Sequence, residues 1–204
     1  MPMRHANTAM RWLLSVILVA ACASGNAHVT IGTALTPEQE AGLAEVQSFV
    51  EAAARTYNVQ PPAIMVADHA GDATFGAVYR RGVIVFTSRM LTHPSRDEAT
   101  AHELAHYLLR HDQPSSRTPE DTEHQANIEA VRILETVKRM SETMALREVV
   151  AALEHNHRAV KSGGPIARGH AHPCEEIRVV VAAYPAQRAW TATLECAPTQ
   201  WRQR

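Results

Sequence analysis

The sequence predicts an α+β fold in which a small sheet packs on two consecutive antiparallel helices. Three observations predict it. Short segments rich in Val, Ile, Phe and Thr gather between residues 63 and 88. A capped amphipathic helix precedes them, and from residue 95 onward the chain reads as helices separated by short polar turns. With 204 residues, 46% of them hydrophobic, the chain is long enough for one domain with a sizeable core. A net charge of -1 excludes the strongly basic footprint of a nucleic-acid binder, so no nucleic-acid partner is expected. Twelve histidines stand out in the composition and direct attention to a site.

At the N-terminus, Arg4 and Arg11 precede an apolar run from Trp12 to Ala21. The run is too short for a permanent membrane span but has the length of a secretory h-region. Residues 1–21 are therefore read as a signal peptide. Val19-Ala20-Ala21-Cys22 resembles a bacterial lipobox, which would make Cys22 the lipidated first mature residue and give the exported, periplasmic protein a membrane anchor. Residues 22–35 read as a linker and 36–204 as the functional domain. Export into an oxidising compartment makes the two remaining cysteines, Cys174 and Cys196, natural disulfide partners.

Thr36-Pro37-Glu38-Gln39 is a capping box with Pro at the first helical position, and Leu43, Val46, Val50 and Ala53 follow at helical spacing to an end near Tyr57. After Pro61-Pro62, strands are expected over Ala63–Val66, Ala73–Tyr79 and Gly82–Ser88, the last two joined through Arg80-Arg81-Gly82. Ser95-Arg96-Asp97-Glu98 reads as a second capping box opening a helix to about His111. Thr118-Pro119 opens the next, which runs past Glu135, with a polar turn from Asp112 to Arg117 between them. A fourth helix carries Leu146, Val149, Val150, Leu153 and Val160 and stops at Gly163-Gly164-Pro165. The runs Ile177–Tyr184 and Ala189–Leu194 are expected to pair as a β-hairpin about Pro185, which would bring Cys174 and Cys196 together.

The chemistry lies in His102-Glu103-Leu104-Ala105-His106. Residues four apart share a helix face, so His102 and His106 can bind one zinc ion while Glu103 is placed to take a proton from a water at the metal. A hydrolytic zinc site needs a third protein ligand. If the two helices form a hairpin about the 112–117 turn, His106 faces Glu123 and His102 faces Asn127. Glu123 is then the third ligand, with Glu120 and Glu129 as alternatives, and Asn127 accepts the ring N–H of His102. His155 and His157 are two apart on a helix and read as surface residues. His170, His124 and His69 have no expected ligand role, and Tyr107 is expected to pack in the helix interface.

These residues resemble a family. His102-Glu103-Leu104-Ala105-His106 with Glu123-His124-Gln125-Ala126-Asn127 is similar to the HExxH plus ExxAD or ExxAN pair of gluzincin metallopeptidases. The likeness is closest to the HtpX-like and BepA-like group related to the CAAX prenyl endopeptidases. His172-Pro173-Cys174-Glu175-Glu176-Ile177-Arg178 matches the later HPxxxxR element of that family. The resemblance implies a zincin-like fold and one Zn2+ per chain. It also implies a zinc endopeptidase of the soluble, minigluzincin-like branch acting on unfolded or extended polypeptide in the bacterial envelope. The substrate would add as a strand to the sheet edge, taken as Gly82–Ser88. By resemblance His172 stands near the metal, stabilising the transition state or blocking the zinc, with Arg178 in support. Two other classes fit the same ligands: a catalytically silent, zinc-stabilised chaperone or assembly factor, and a periplasmic metal-binding protein.

Overall fold

A computed structural model of the chain describes residues 25–69 and 76–196. The segment read as a signal peptide, Cys22 and the first residues of the strand expected over Ala73–Tyr79 lie outside them. Among the described residues no helix is long and apolar enough to cross a membrane.

The architecture is α+β. Four strands, β1 (Val29–Ile31), β2 (Ala63–Ala67), β3 (Ala77–Arg80) and β4 (Val83–Thr87), form one mixed sheet in the order β1-β2-β4-β3. β1, β2 and β4 run parallel, and β3 lies antiparallel beside β4. Two expectations are corrected here. The supposed linker 22–35 contains β1, a three-residue strand whose Ile31 is exposed, so it carries none of the alternation that marks a half-buried strand. The segment Gly82–Ser88 is not the sheet edge, because β4 is paired on both sides; the edge beside the helices is β3.

The β3–β4 hairpin turns on Arg81 (φ 47°) and Gly82 (φ 82°), the pair of positive angles of a type I′ turn, in which Gly82 carries no steric penalty. With Arg80 opposite Val83 across this two-residue turn, the backbone N–H and C=O of Ala77 and Tyr79 point away from β4.

Among the described residues, five helices are longer than one turn: α1 (Pro37–Tyr57), α2 (Arg96–Leu108), α3 (Pro119–Val137), α4 (Glu142–Lys161) and α5 (Pro173–Ala182). A short α6 (Arg188–Thr191) follows. The capping box at Thr36 forms, with Thr36 Oγ1 accepting from Gln39 N–H and the Gln39 side chain accepting from Thr36 N–H. Thr118 makes the same reciprocal pair with Asp121. The box expected at Ser95 does not form: Ser95 makes no side-chain cap bond, and its N–H donates instead to His93 Nδ1.

Ile64 and Val66 of β2 and Ile84 and Phe86 of β4 alternate onto one buried face, against Val46, Phe49 and Val50 of α1 and Leu104 of α2. Ile133 and Leu134 of α3, Leu146 and Val149 of α4 and Val180 of α5 continue the same core.

The hairpin expected over Ile177–Leu194 is overturned: its first run is α5, and α6 lies in the second. The buried residues of α5 are Pro173, Glu176, Ile177, Val180 and Val181, spaced at three and four, so packing of one helix face outweighs the strand preference of Val179-Val180-Val181. Cys174, in the first turn of α5, and Cys196 still meet in a disulfide, with Cα atoms 4.9 Å apart. The chain reaches that pairing by a helix and a return turn.

Candidate metal centre

α2 and α3 are antiparallel neighbours, and their register brings together three of the side chains singled out in the sequence. His102 Nε2 is 3.1 Å from Glu123 Oε2, His106 Nε2 is 3.3 Å from the same oxygen, and the two Nε2 atoms are 3.0 Å apart. In a tetrahedral zinc site with bonds of about 2.0–2.1 Å, neighbouring ligand atoms stand about 3.3 Å apart, so the triangle has the size of one zinc face. Glu123 is thus the carboxylate that meets both imidazoles. Glu129 pairs with Arg132 on the same helix, and Glu120 is exposed in its first turn.

Each imidazole is held from behind. His102 Nδ1–H donates to Asn127 Oδ1 at 3.0 Å, and the Nδ1 atoms of His106 and His111 lie 2.9 Å apart. If His106 uses Nε2 toward a metal, its Nδ1 carries the proton and His111 Nδ1 accepts it. His111 suits that role, because burial and the neighbouring His106 lower its pKa and keep it neutral.

The electrostatics favour a cation in the triangle. Burial would raise the Glu123 pKa, but hydrogen bonds and charge from His102 and His106 outweigh it and hold the carboxyl well below its usual range. Burial likewise opposes a charged His102, yet Glu123 outweighs it and the ring is pushed up to about 10. Without a metal this cluster binds protons in its place. The donor set of two imidazole nitrogens and one carboxylate oxygen, opening on a cleft, fits a zinc ion.

Glu103 is buried beside the triangle, and its Oε2 accepts the Tyr79 N–H at 2.6 Å. The outward amide of edge strand β3 therefore fixes the carboxylate. A second buried acid, Glu98, lies one turn earlier on α2; burial, with Glu103, Glu148 and Glu176 adding to it against His102, pushes it up to about 7.

The site role read onto His172 and Arg178 is not supported by their positions. His172 is the exposed N-cap of α5, its Nδ1 accepting the Cys174 N–H, and Arg178 Nε donates to the Cys196 carbonyl. His170, expected to have no ligand role, lies beside the triangle instead. Its Nε2 is 3.6 Å from Glu123 Oε2, its ring is roughly parallel to His102 with centres 6.3 Å apart, and its Nδ1 is 3.1 Å from Glu176 Oε1. Burial opposes charge on His170, but the carboxylates of Glu176 and Glu123 outweigh it and raise its pKa.

Sequence reasoning missed His170, His111 and Glu176. The one available signal was Glu176, an acid at a core position of an otherwise apolar helical face. His157, read as a surface residue, is in fact half-buried, beside Cys174. Tyr107 packs edge-on against Tyr79 and donates its hydroxyl to the Gln60 carbonyl, a structural placement.

Two openings meet at Glu103. One, of about 260 Å³, is polar and lies over Tyr79, His106, Glu123, Arg168 and His170. The other, of about 320 Å³, runs from His102 and Glu103 into a mostly apolar cleft lined by Met90, Leu153, Val160 and Ile166. No protein-family model, curated protein or solved structure matches the chain.

Proposed function

We propose that the protein is a zinc-dependent endopeptidase of zincin-like, gluzincin type. The observation that carries this reading is the triangle of His102, His106 and Glu123 with Glu103 fixed beside it by the edge strand. His102, His106 and Glu123 would hold the ion. Zinc bound there supplies Lewis acidity and lowers the pKa of a water toward about 7.

An extended peptide adds to β3 through the outward groups of Ala77 and the Tyr79 carbonyl, which places its backbone along Glu103. Glu103 accepts the proton of the attacking water and passes it to the leaving amine. His170, oriented by Glu176, donates to the carbonyl oxygen as charge develops on it. The cleft lined by Met90, Leu153 and Val160 receives an apolar side chain of the substrate. The Cys174–Cys196 bridge supports folding in an oxidising compartment, in keeping with export and an anchor at Cys22.

The test is metal analysis together with cleavage of an unfolded protein by the wild type and Glu103→Gln. The variant is expected to keep about one zinc per chain and to lose on the order of 100-fold or more in turnover. Undiminished turnover would refute the assignment.

A further inference from the structure

A second group of metal-ligating side chains lies apart from the triangle, where α4 meets the start of α5. Cys174 Sγ is 3.5 Å from His157 Nδ1 and 3.8 Å from its Nε2, and the ligand atoms of His157, Cys174 and Cys196 all lie within 4.8 Å of one another. His157 Nε2 is 3.8 Å from a Glu195 carboxylate oxygen, and Lys161 holds the other oxygen of that carboxylate. The His172 ring stands edge-on to His157 with centres 5.6 Å apart.

We propose that, once the Cys174–Cys196 disulfide is reduced, Cys174, Cys196 and His157 bind a thiophilic divalent cation of the zinc class. Sulfur and nitrogen ligands sharing a tetrahedral zinc stand about 3.5 Å apart, given bonds of about 2.3 and 2.0 Å, and Cys174 and His157 already have that spacing. The two sulfurs need only move from bonding distance to about 3.8 Å, a shift that falls on the turn ending at Cys196. Glu195 facing the His157 ring supplies the carboxylate that such a ligand commonly leans on.

The chemistry balances. A dithiol reductant gives two electrons and two protons to the disulfide and becomes a disulfide itself. The two thiols then release two protons to water as the cation takes the thiolates. The bridge and the metal are thus alternative closures of one cluster.

Cobalt(II) added to the full chain, with and without a phosphine reductant that offers no thiol ligand, tests this. The oxidised chain is expected to show no sulfur-to-cobalt charge-transfer absorption. The reduced chain takes up one further equivalent with that absorption, and zinc bleaches it. His157→Ala is expected to weaken this equivalent at least about 10-fold, whereas Glu123→Ala leaves the absorption intact, separating this site from the triangle. Zinc should also slow alkylation of Cys174 and Cys196 at least about 10-fold. No charge-transfer absorption, an absorption indifferent to His157→Ala, or alkylation at the denatured rate with and without zinc would each overturn the proposal.

Discussion

Among the described residues, histidines come into ligand spacing with other metal-binding side chains twice, by different means. At His102, His106 and Glu123 the placement comes from backbone alone: two helices, each regular, joined by a short turn and packed in antiparallel register. At His157, Cys174 and Cys196 it comes from a covalent bond that closes a separation of 22 residues between α5 and the chain beyond α6. The first cluster is charged and half-buried, and asks for a cation at its centre. The second is already satisfied by its bridge. Helix register therefore suits a cluster left open to an ion, while the bridge fastens the end of a short segment whose Thr191, Leu194 and Cys196 are buried.

The comparison breaks most readily at Glu123. Glu123→Ala is expected to lower zinc affinity by more than about 100-fold, because it removes one of three candidate ligands and leaves two imidazoles on one helix. Glu120→Ala and Glu129→Ala should bind zinc as the wild type does, measured by competition with a chromophoric chelator. Equal losses in all three would show that the α2–α3 register does not select the ligand.

A second experiment asks whether the bridge matters to the triangle at all. In metal-free protein, replacing both Cys174 and Cys196 by Ser should lower unfolding free energy in urea by about 3 kcal/mol, the loop-closure effect expected for some 20 residues. Zinc affinity at the triangle should change by less than about threefold. A parallel collapse of zinc affinity would mean that α5, through Glu176 and His170, holds the first cluster in place.

The same contrast explains what the sequence made legible. His102, His106, Glu123 and Asn127 could be placed from numbering alone, since four-residue spacing and antiparallel register are local geometry and the turn between the helices is short. His170 could not. Its position depends on how the chain between α4 and α5 folds back over the triangle, and His172, which carried the motif, is used to cap α5. The α5 segment was misread because three consecutive valines favour a strand, whereas the decision was made by burial of every third and fourth residue against α3 and α4. β1 escaped notice for the opposite reason: it is short, exposed, and held by pairing with β2.

The smallest expected effect separates the two helices within the triangle's own hairpin. α3 begins with a complete capping box, in which Thr118 Oγ1 accepts the Asp121 N–H and Asp121 returns a bond to the Thr118 N–H. α2 begins at Ser95 with no such bond, its N-terminus being anchored by the preceding 3-10 turn, whose Leu91 carbonyl accepts from Arg96. Thr118→Ala should therefore cost about 1 kcal/mol in unfolding free energy, and Ser95→Ala close to nothing. Because Glu123 lies on the second turn of α3, fraying from Thr118→Ala should also weaken zinc binding several-fold, while Ser95→Ala leaves it unchanged. Equal losses in stability from the two substitutions would mean that Ser95 caps α2 in solution, and the contrast between a self-capped ligand helix and one anchored by its neighbour would fail.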